Sequence, residues 1–362
     1  MRDMIRDEVR AAPPYAFQDV PGDVKLDQNE APHDLPEAVR RRLLDRLADA
    51  DWNRYPALRA EEAHRALAGR DGWHPEGVLL APGSNVLIQT VVIAAGLGRT
   101  VLTVEPTFSV YGQQARLLGA KHVRVPLKAP GFTLDVEGIE RALKQGPGVW
   151  FLADPAAPTG NRHDDGAVER LLDVARAEGW LTVIDEAYWP YDRRHRLDQV
   201  RGQPDRIALR TFSKADAMGG VRLGYALGET ETIAELTKVV LPFNVSTWQS
   251  TAVALLATDP EANAAREARI DEAIEERARV YAALQSMEHV DVHPSVTNFL
   301  LFSVPDAKWV YDQLLEAGIR IRRQDHLPGL DGHLRVSMGT PNENDRFLDA
   351  LTRVLNLEVT HG

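Results

Sequence analysis

The stretch GVWFLADPAAPTGNRHDDGAVERLLDVARAEGWLTVIDEAY, residues 148–188, decides the fold of this chain. It begins with an apolar run over 148–155 and ends with another over 180–188, and a segment of helical length over 164–179 separates them. Both runs are continuous rather than alternating, which is typical of strands that are buried on both faces. A strand, a helix and a second strand in this order predict a parallel pair of strands joined by a crossover helix.

Strand candidates of the same kind lie on both sides of this unit. They are rich in valine, isoleucine and leucine and occupy residues 78–82, 100–106, 122–127, 207–213 and 223–228. Several of them are again separated by segments of helical length. The pattern predicts an α/β fold, with a three-layer αβα large domain built on a mainly parallel seven-stranded sheet.

The pattern changes from about residue 262, where a long helix over 262–287 leads to short strands and further helices. This part predicts a smaller α+β domain. The predicted division has three parts. An N-terminal segment over 1–45 packs with the small domain and contributes a lid, a large ligand-binding domain covers 46–260, and the small C-terminal domain covers 261–362.

The composition argues against several classes of function. The formal net charge of the 362 residues is −11 at pH 7, which disfavours a nucleic-acid partner because phosphate binding needs a basic face. The chain has no cysteine, which excludes disulfides, thiolate metal sites and a cysteine nucleophile. Its start, MRDMIRDEVR, has no apolar core of the signal-peptide type, and its most apolar windows are too short to span a bilayer. We therefore expect a soluble, cytoplasmic protein with no metal and no nucleic-acid or membrane partner.

Polar residues stand where several predicted strands end. In an open parallel sheet, ligands bind beyond the carboxyl ends of the strands. A helix that starts near Ser84 would offer its N–H groups to a phosphate, although an ordinary N-cap would look the same. Asp185 would pair with a protonated ring nitrogen or, equally, with backbone amides of the next turn. The residues at these strand ends are Gly83, Ser84, Asp154, Asp185, Ser213 and Lys214.

The stretch TFSKADAMGGVRLGYALG, residues 211–228, is the most specific of these. Partial desolvation and cationic neighbours lower the pKa of a lysine amine, and at this strand end they would make Lys214 nucleophilic. Ser213 and Arg222 can both reach a phosphate, and the pair Gly219–Gly220 would let the chain turn tightly between lysine and arginine. A lysine for a Schiff base, an anion clamp and a buried aspartate suit pyridoxal 5′-phosphate, which has an aldehyde, a phosphate and a pyridine nitrogen.

The chain resembles the fold type I pyridoxal-phosphate aminotransferases of class I and II and, within them, the histidinol-phosphate aminotransferases. The resemblance runs nearly end to end and implies the aspartate aminotransferase-like fold. Its most specific motif is the S-K-A…G-x-R-x-G element of TFSKADAMGGVRLGY (211–225). The other matching pieces are KLDQNEAPHDLP (25–36), WNRYPALRAEEAHRALA (52–68), APGSN (81–85), EPTFSVY (105–111), DPAAPTGN (154–161), IDEAY (184–188), TNFLLF (297–302) and HLPGLDGHLRVSMGTPNEN (326–344).

The resemblance implies a role toward the cofactor for each matching residue. Lys214 would form the Schiff base and later shuttle the proton between Cα of the substrate and C4′ of the cofactor. Asp185 would pair with the pyridinium nitrogen, Tyr188 would hydrogen-bond the phenolic oxygen, and Phe108 would stack on the ring face. The residues that would hold the phosphate are Gly83, Ser84, Asn85, Ser213 and Arg222, with Tyr55 reaching it from the other subunit of a homodimer.

The resemblance also implies contacts to the substrates, a small-molecule amino donor and a keto acid. Arg335 would receive a carboxylate and, together with Arg322, a phosphate. Tyr111 would lie close to the substrate, and Asn29 and Glu30 would form part of the substrate lid.

The chain departs from the family pattern at two positions near the cofactor or the substrate. Ala157 stands where the family usually has an asparagine that hydrogen-bonds the phenolic oxygen of the cofactor. His33 stands where a tyrosine is more usual. Tyr188 remains as a donor to the phenolic oxygen, so we expect activity to survive the loss of the asparagine.

The function expected from the resemblance is transamination in histidine biosynthesis. An amino group would pass between histidinol phosphate and imidazole-acetol phosphate, with glutamate and 2-oxoglutarate as the second pair, in ping-pong half-reactions that use Lys214. The alternative is a related pyridoxal-phosphate enzyme, such as a phosphothreonine decarboxylase or an aminotransferase or oxidase for another amino acid, because the sequence hardly reports which bond at Cα breaks. A non-enzymatic relative would be expected to lack the lysine or the aspartate, and both are present.

Overall fold

The structure is a computed structural model that describes residues 4–13, 20 and 22–361, and of 358–361 only the backbone. Residues 1–3, 14–19 and 21 of the predicted N-terminal segment lie outside the described residues. In chain order, the strands are β1 (Val24–Lys25), β2 (Val78–Ala81), β3 (Thr100–Glu105), β4 (Lys121–Pro126), β5 (Gly148–Ala153), β6 (Leu181–Asp185), β7 (Arg206–Thr211), β8 (Gly224–Gly228), β9 (Asp291–Val292), β10 (Phe299–Ser303), β11 (Ile319–Arg320), β12 (Arg322–Arg323) and β13 (His333–Ser337). The helices are α1 (Asp7–Ala11), α2 (Glu37–Ala48), α3 (Glu61–Asp71), α4 (Ser84–Val91), α5 (Ser109–Leu117), α6 (Val136–Leu143), α7 (Asp165–Ala177), α8 (Trp189–Asp192), α9 (Leu197–Val200), α10 (Thr230–Thr237), α11 (Thr247–Thr258), α12 (Pro260–Gln285), α13 (Ala307–Glu316) and α14 (Pro341–His361).

One large sheet has the strand order β2-β8-β7-β6-β5-β3-β4. All neighbours from β4 to β7 are parallel, whereas β8 runs antiparallel to both β7 and β2. The unit over 148–188 forms β5, α7 and β6, and its two strands are parallel and adjacent, as predicted. The predicted mainly parallel, seven-stranded sheet is confirmed.

The continuous apolar strands are buried on both faces of this sheet. In β5, Trp150 and Leu152 pack in the core on one face, while Val149 and Phe151 pack in the core on the other. Since neighbouring side chains of a strand point to opposite faces, a strand that is covered on both sides needs an apolar residue at each position. Polar residues that could serve a ligand therefore stand mainly where these strands end, and the candidate site lies there.

The C-terminal part forms an antiparallel sheet in the order β12-β13-β10-β9, and β1 pairs with β11 in a separate parallel sheet. Val24 and Leu26 of the N-terminal segment belong to the core of this part. Leu35 and Val39, by contrast, pack in the core of the large sheet, with Leu43 against it. Val39 and Leu43 lie one turn apart on α2 and Leu35 just precedes the helix, so the three side chains form one apolar face toward this core. In this packing α2 belongs with the large sheet, although the prediction grouped residues up to 45 with the small domain.

The long predicted helix corresponds to α12, which packs against both α11 and α14. It begins at Pro260, and the side chain of Asp259 caps it by accepting a hydrogen bond from the N–H of Ala262. The domain ranges 46–260 and 261–362, which divide near the start of α12, stay predictions. Among the described residues, none of the helices has both the length and the apolar character that a bilayer crossing requires.

Candidate active site

A cavity of about 490 Å³ opens at the carboxyl ends of the parallel strands. Its lining comes from the ends of β5, β6 and β7, from the first turn of α4 and from the small sheet. An open α/β sheet offers this position to a ligand, and the volume lies in the range of small-molecule sites. The predicted site residues that line it are Asn29, Ser84, Asn85, Phe108, Tyr111, Asp185, Tyr188, Ser213, Lys214, Arg222, Arg322 and Arg335.

Lys214 stands just beyond the end of β7. Its Nζ donates a hydrogen bond of 2.7 Å to the carbonyl oxygen of Gln28 and lies 5.9 Å from the ring centroid of Tyr188. Burial, together with the positive charges of Arg335 and Arg222, lowers the pKa of the Lys214 amine to about 7. An amine with this pKa is largely uncharged in mildly alkaline solution and is then available as a nucleophile or a base.

Asp185 ends β6 in the wall of the cavity. Its Oδ2 accepts a hydrogen bond of 2.6 Å from the hydroxyl of Tyr111, and its Oδ1 accepts one of 3.1 Å from the N–H of Ala187. Burial raises the pKa of the Asp185 carboxyl, and these two donors oppose the rise. A cation that faced the carboxylate from the cavity would also favour its ionised form.

Tyr111 lines the cavity from a buried position. Its ring is 1% exposed, stacks on Phe151 at 4.8 Å between centroids and meets Phe108 edge-on at 5.5 Å, and its predicted place close to the substrate stays a prediction. Because α5 begins at Ser109, Tyr111 lies in the first turn of this helix and packs onto β5. Its hydroxyl donates a hydrogen bond to Asp185, so Tyr111 lies in the wall of the cavity behind this carboxylate.

The turn between β2 and α4 forms an anion cradle with Arg222, defined here as Gly83, Ser84, Asn85, Ser213 and Arg222. Gly83 has a φ of 92°, and a Cβ added there would lie 3.0 Å from Nη2 of Arg222. Arg222 Nη1 also donates to Ser213 Oγ at 3.4 Å. The first N–H groups of a helix have no partner inside the helix, and with the helix dipole they attract an anion. The cradle therefore joins backbone donors, hydroxyls and a guanidinium.

Two local predictions about this region agree with the structure: α4 starts at Ser84, and a tight 3-10 turn over Gly219–Val221 separates Lys214 from Arg222. The alternative interpretation, in which Ser84 is an ordinary N-cap, does not hold, because the cap residue is Gly83 and no side chain caps this helix. Neither glycine of the pair Gly219–Gly220 has a left-handed φ, whereas Ala217 and Arg222 have φ values of 57° and 61°. A glycine pair marks where the chain is free to turn, but tertiary contacts decide which residue takes the positive φ.

Two arginines of the small sheet also line the cavity. Arg322 of β12 and Arg335 of β13 are directly opposite each other in the antiparallel register, so their side chains are neighbours. Nη2 of Arg335 donates a hydrogen bond of 2.9 Å to the carbonyl oxygen of Asp27. Two like charges in this arrangement repel each other, and an anion between them relieves the repulsion. The cavity therefore has two cationic side chains on the side of the small sheet, in addition to Arg222 at the anion cradle.

The N-terminal segment contributes residues 27–29 to the same wall. Asn29 is buried, and its Nδ2 donates a hydrogen bond of 2.9 Å to the hydroxyl oxygen of Tyr188. Glu30, the other predicted lid residue, is not among the lining residues, and its carboxylate pairs with Lys25 at 2.6 Å. Of the two, Asn29 therefore contacts the cavity wall directly, whereas Glu30 acts on the site only through its charge.

The family model described as aminotransferase class I and II matches residues 21–351 of this chain. The chain belongs to this family. The histidinol-phosphate aminotransferase of Deinococcus radiodurans is 44% identical to this class I and II aminotransferase over 348 residues, which are 96% of this chain and 95% of that protein. The histidinol-phosphate aminotransferase of Methylibium petroleiphilum is 39% identical over 356 residues, with 97% of this chain and 95% of that protein covered.

The fold of this aminotransferase is similar to a solved structure. The histidinol-phosphate aminotransferase of Sinorhizobium meliloti, in complex with pyridoxal-5′-phosphate, matches with a TM-score of 0.85 and 22% identity, and the match covers 98% of both chains. At this identity the likeness shows the fold. The predicted family and fold class are both confirmed.

Tyr55 of this aminotransferase lies outside the cavity. Its ring is 80% exposed and stacks on Phe243 at 4.7 Å between centroids. Trp52 and Trp248, from the same two chain segments, form a second ring contact at 5.4 Å. These four side chains are called the aromatic patch below. The prediction that Tyr55 serves the phosphate site of a second subunit stays a prediction.

Other residues that the sequence singled out have partners outside the cavity. Oδ2 of Asp154 accepts a hydrogen bond of 2.6 Å from Nε of Arg196 in a buried ion pair. Nε2 of His33 lies 3.0 Å from Oε1 of Glu272, on α12. The departure at His33 therefore lies outside the cavity lining. Ala157, in contrast, does line the cavity, and its methyl group offers no hydrogen bond.

Several residues that line the cavity were not predicted from the sequence. Asp27 and Gln28 act through their carbonyl oxygens, which every residue type has, so no sequence signal marks them. Gln324 and His326 follow Arg322 within the polar run RRQDH, and this run was the available signal for them. The unpredicted lining residues with polar groups are Asp27, Gln28, Thr107, Ser109, Thr211, Gln324 and His326.

Proposed function

We propose that the protein is a pyridoxal-phosphate-dependent transaminase of histidine biosynthesis, which exchanges an amino group between histidinol phosphate and 2-oxoglutarate to give imidazole-acetol phosphate and glutamate. The observation that carries the proposal is that Lys214 and Asp185 line one cavity, which Arg222, Arg322 and Arg335 also line. The choice of substrate is supported by the relatives from D. radiodurans and M. petroleiphilum, which are named histidinol-phosphate aminotransferases and match nearly the whole chain.

The residues around the cavity fit each functional group of pyridoxal phosphate. The anion cradle would hold the phosphate, since Gly83 leaves its backbone open and Arg222 lies over the turn. Asp185 would hold a protonated ring nitrogen, Tyr188 would donate to the phenolic oxygen, and Phe108 would cover one face of the ring. When bound, the cofactor supplies an aldehyde that exchanges for an amine and a ring that takes up electrons released at Cα of the substrate.

Lys214 would hold the cofactor covalently and would act as the base of the reaction. Its Nζ would take up the proton from Cα of the substrate and deliver it to C4′ of the cofactor. A general base works best when its pKa lies near the working pH, and the pKa of Lys214 is about 7. The carbonyl oxygen of Gln28 accepts a hydrogen bond from Nζ, so it would orient the amine while it carries a proton.

Arg322 and Arg335 would receive the anionic ends of both substrates. Histidinol phosphate carries a phosphate and 2-oxoglutarate a second carboxylate, and a guanidinium binds either group through two parallel hydrogen bonds. One arginine pair can serve both substrates because the two half-reactions occur one after the other. The direct opposition of the two residues across β12 and β13 supports this role.

A homodimer with shared active sites belongs to the same proposal. The aromatic patch is exposed, and Leu58 and Leu241 from the same two segments are also exposed. An exposed apolar surface of this kind marks a docking site for another protein. In a second copy seated on this surface, Tyr55 would supply its hydroxyl to the partner's phosphate site. The cytoplasm is kept as the predicted location, since a chain without cysteine fits a reducing compartment.

The first test is a rapid-mixing spectrum of the cofactor-loaded protein with histidinol phosphate and no keto acid. We expect the visible absorbance of the pyridoxal form to convert to that of the pyridoxamine form, and 2-oxoglutarate to reverse the change. Phosphothreonine serves as the control substrate. Release of carbon dioxide from phosphothreonine, with no change on histidinol phosphate, would contradict the proposed reaction.

A further inference from the structure

A short chain of hydrogen bonds ends at the hydroxyl of Tyr188. It starts at the backbone N–H of Asn29, which donates to Ser337 Oγ at 2.8 Å. The hydroxyl of Ser337 donates to Oδ1 of Asn29 at 2.9 Å. Nδ2 of Asn29 then donates to Oη of Tyr188 at 2.9 Å. The chain thus runs from a strand of the small sheet, β13, to a residue that follows β6 of the large sheet.

The hydroxyl of Ser337 selects the orientation of the Asn29 amide. A backbone N–H can only donate, so Ser337 Oγ accepts from it and has a single proton of its own to donate. That buried proton has Oδ1 of Asn29 as its acceptor and would face the donor Nδ2 if the amide turned over, so the orientation with Nδ2 toward Tyr188 is favoured. Because the amide N–H occupies Oη of Tyr188 as a donor, the single phenolic proton must point away from Asn29.

The members of the chain are also held in place. Asn29 and Ser337 are only 1% and 2% exposed. Asn298 Nδ2 donates to the carbonyl oxygen of Asn29 at 3.1 Å, and Asn29 has a left-handed φ of 54°, which a residue with a Cβ adopts only where its surroundings hold it. The ring of Tyr188 packs edge-on against Phe299 at 5.1 Å between centroids. The packing around Asn29 and Tyr188 therefore holds the phenolic proton in one direction, away from Asn29.

We propose that Asn29 is a positioning residue whose amide directs the hydroxyl proton of Tyr188 into the cavity, toward the phenolic oxygen of the bound cofactor. The inference rests on the proposed function, because it needs pyridoxal phosphate in the cavity. Ser337 keeps the amide from turning over. A hydrogen bond from Tyr188 stabilises negative charge on the phenolic oxygen, since a charged acceptor forms the stronger bond. The Asn29 side chain thus acts on the cofactor through Tyr188.

Four variants test the inference. Asn29→Asp keeps the shape of the side chain but presents an acceptor to Tyr188, so the phenolic proton turns toward it and away from the cavity. Ser337→Ala lets the amide of Asn29 turn over, whereas Ser337→Thr keeps the hydroxyl. Asn344→Asp is the matched control, because Asn344 is equally buried and its side chain bonds to Gly339 and Glu276 rather than to the cavity.

Two quantities are measured for each variant: the Kd of pyridoxal phosphate for the cofactor-free protein, and the pH midpoint of the visible absorbance change of the bound cofactor. For Asn29→Asp we expect Kd to rise about tenfold or more, as for a lost hydrogen bond to a charged oxygen. The midpoint is expected to rise by about one pH unit, since the phenolic oxygen then holds a proton more tightly. Ser337→Ala should change both in the same direction, and Ser337→Thr should restore them.

The outcomes separate this inference from the proposed function. If the wild-type protein binds the cofactor and Asn29→Asp has an unchanged midpoint, the inference is overturned and the proposed function stands. A shift of the same size in Asn344→Asp would trace the effect to general destabilisation and would also overturn the inference. If the wild-type protein does not bind pyridoxal phosphate, the proposed function itself fails.

Discussion

The hydroxyl of Tyr111 donates a hydrogen bond of 2.6 Å to Oδ2 of Asp185, where both side chains are buried. The pKa of the Tyr111 hydroxyl is raised well above its ordinary value, first by burial and then by the negative charge of Asp185, so the tyrosine keeps its proton. The same bond opposes the rise that burial imposes on the pKa of Asp185. Tyr111 therefore helps this carboxylate to stay ionised in a place where burial alone would neutralise it.

Tyr111→Phe is expected to weaken the hold on a cationic ring nitrogen. The variant keeps the ring that stacks on Phe151 but removes the donor, so the pKa of Asp185 rises further. A hydrogen bond to a charged group contributes roughly 1.5–3 kcal/mol, which corresponds to a Kd for pyridoxal phosphate that is at least about tenfold higher. Absorbance titration of the cofactor-free protein measures this. Tyr225→Phe is the matched control, because Tyr225 donates to Asp71 at 2.6 Å outside the cavity lining; an equal loss there would refute a specific role for Tyr111.

The capture of pyridoxal phosphate by the cofactor-free protein is expected to depend on pH with a midpoint near the Lys214 pKa of about 7. Only the neutral amine attacks an aldehyde, so the rate rises as pH increases through the pKa and levels off above it. Because the charge of Arg335 lowers this pKa, Arg335→Gln should move the midpoint upward. Lys214→Ala should abolish covalent capture. Stopped-flow absorbance follows the reaction, and a midpoint close to that of a solvated lysine, about 10.4, would contradict the buried amine.

Arg335→Gln is expected to lower kcat/KM for histidinol phosphate, by about thirtyfold or more, because one charge-assisted contact to the anionic end is lost. Arg323→Gln provides a control on the neighbouring strand position, where Arg323 pairs with Asp325 at 2.6 Å instead. Steady-state kinetics should show little change for this control. Equal losses for the two variants would mean that net charge, rather than the pair Arg322 and Arg335, attracts the substrate.

Leu241→Glu is expected to dissociate the proposed homodimer. Leu241 is 78% exposed in the segment that carries Phe243, and a carboxylate there would have to be buried against a second copy. Sedimentation velocity measures the change. Leu357→Glu, at an exposed leucine of α14, is the control and should leave the assembly as it is. A wild-type protein that sediments as a monomer would remove the shared active site from the proposal.

Gly224→Ala is expected to displace the first turn of α4 and to weaken the anion cradle. A Cβ at Gly224 would lie 2.3 Å from the backbone nitrogen of Ser84, and an overpacked site of this kind costs about 1–3 kcal/mol of unfolding free energy. Urea denaturation measures the loss. Gly220→Ala is the control, because no atom lies within 4 Å of its added Cβ. Unchanged stability in both variants would contradict the close approach of β8 to α4.

The large sheet is predictable from the sequence because its strands obey a severe constraint. Burial on both faces requires an apolar residue at nearly every position of Gly148–Ala153, and few other elements of this length have that pattern. The positions of Asp185 and Lys214 follow from the related rule that ligand-binding groups of an open parallel sheet stand beyond the carboxyl ends of its strands. This much of the site therefore follows from local patterns.

The rest of the site depends on contacts between distant parts of the chain, which local patterns do not report. A tyrosine at position 111 could contact a ligand in the cavity as far as the sequence shows. Only the packing of α5 onto β5 shows that its hydroxyl faces Asp185. Gln28 contributes a carbonyl oxygen, which has no residue-specific signal. Its place beside Lys214 depends on the pairing of β1 with β11, between residues 24–25 and 319–320.

The pairing of β1 with β11 has a consequence for the order in which the protein is made. The ribosome synthesises the lysine, the aspartate and all strands of the large sheet before it reaches β11 and β13. Until those later strands emerge, Val24 and Lys25 have no Ile319–Arg320 to pair with and Asn29 has no Ser337, although residues 24–29 are made before the large sheet. Residues 24–29 must therefore wait for strands that are made after the whole large sheet, and a chain that ends before β11 would carry the lysine without the wall that orients it.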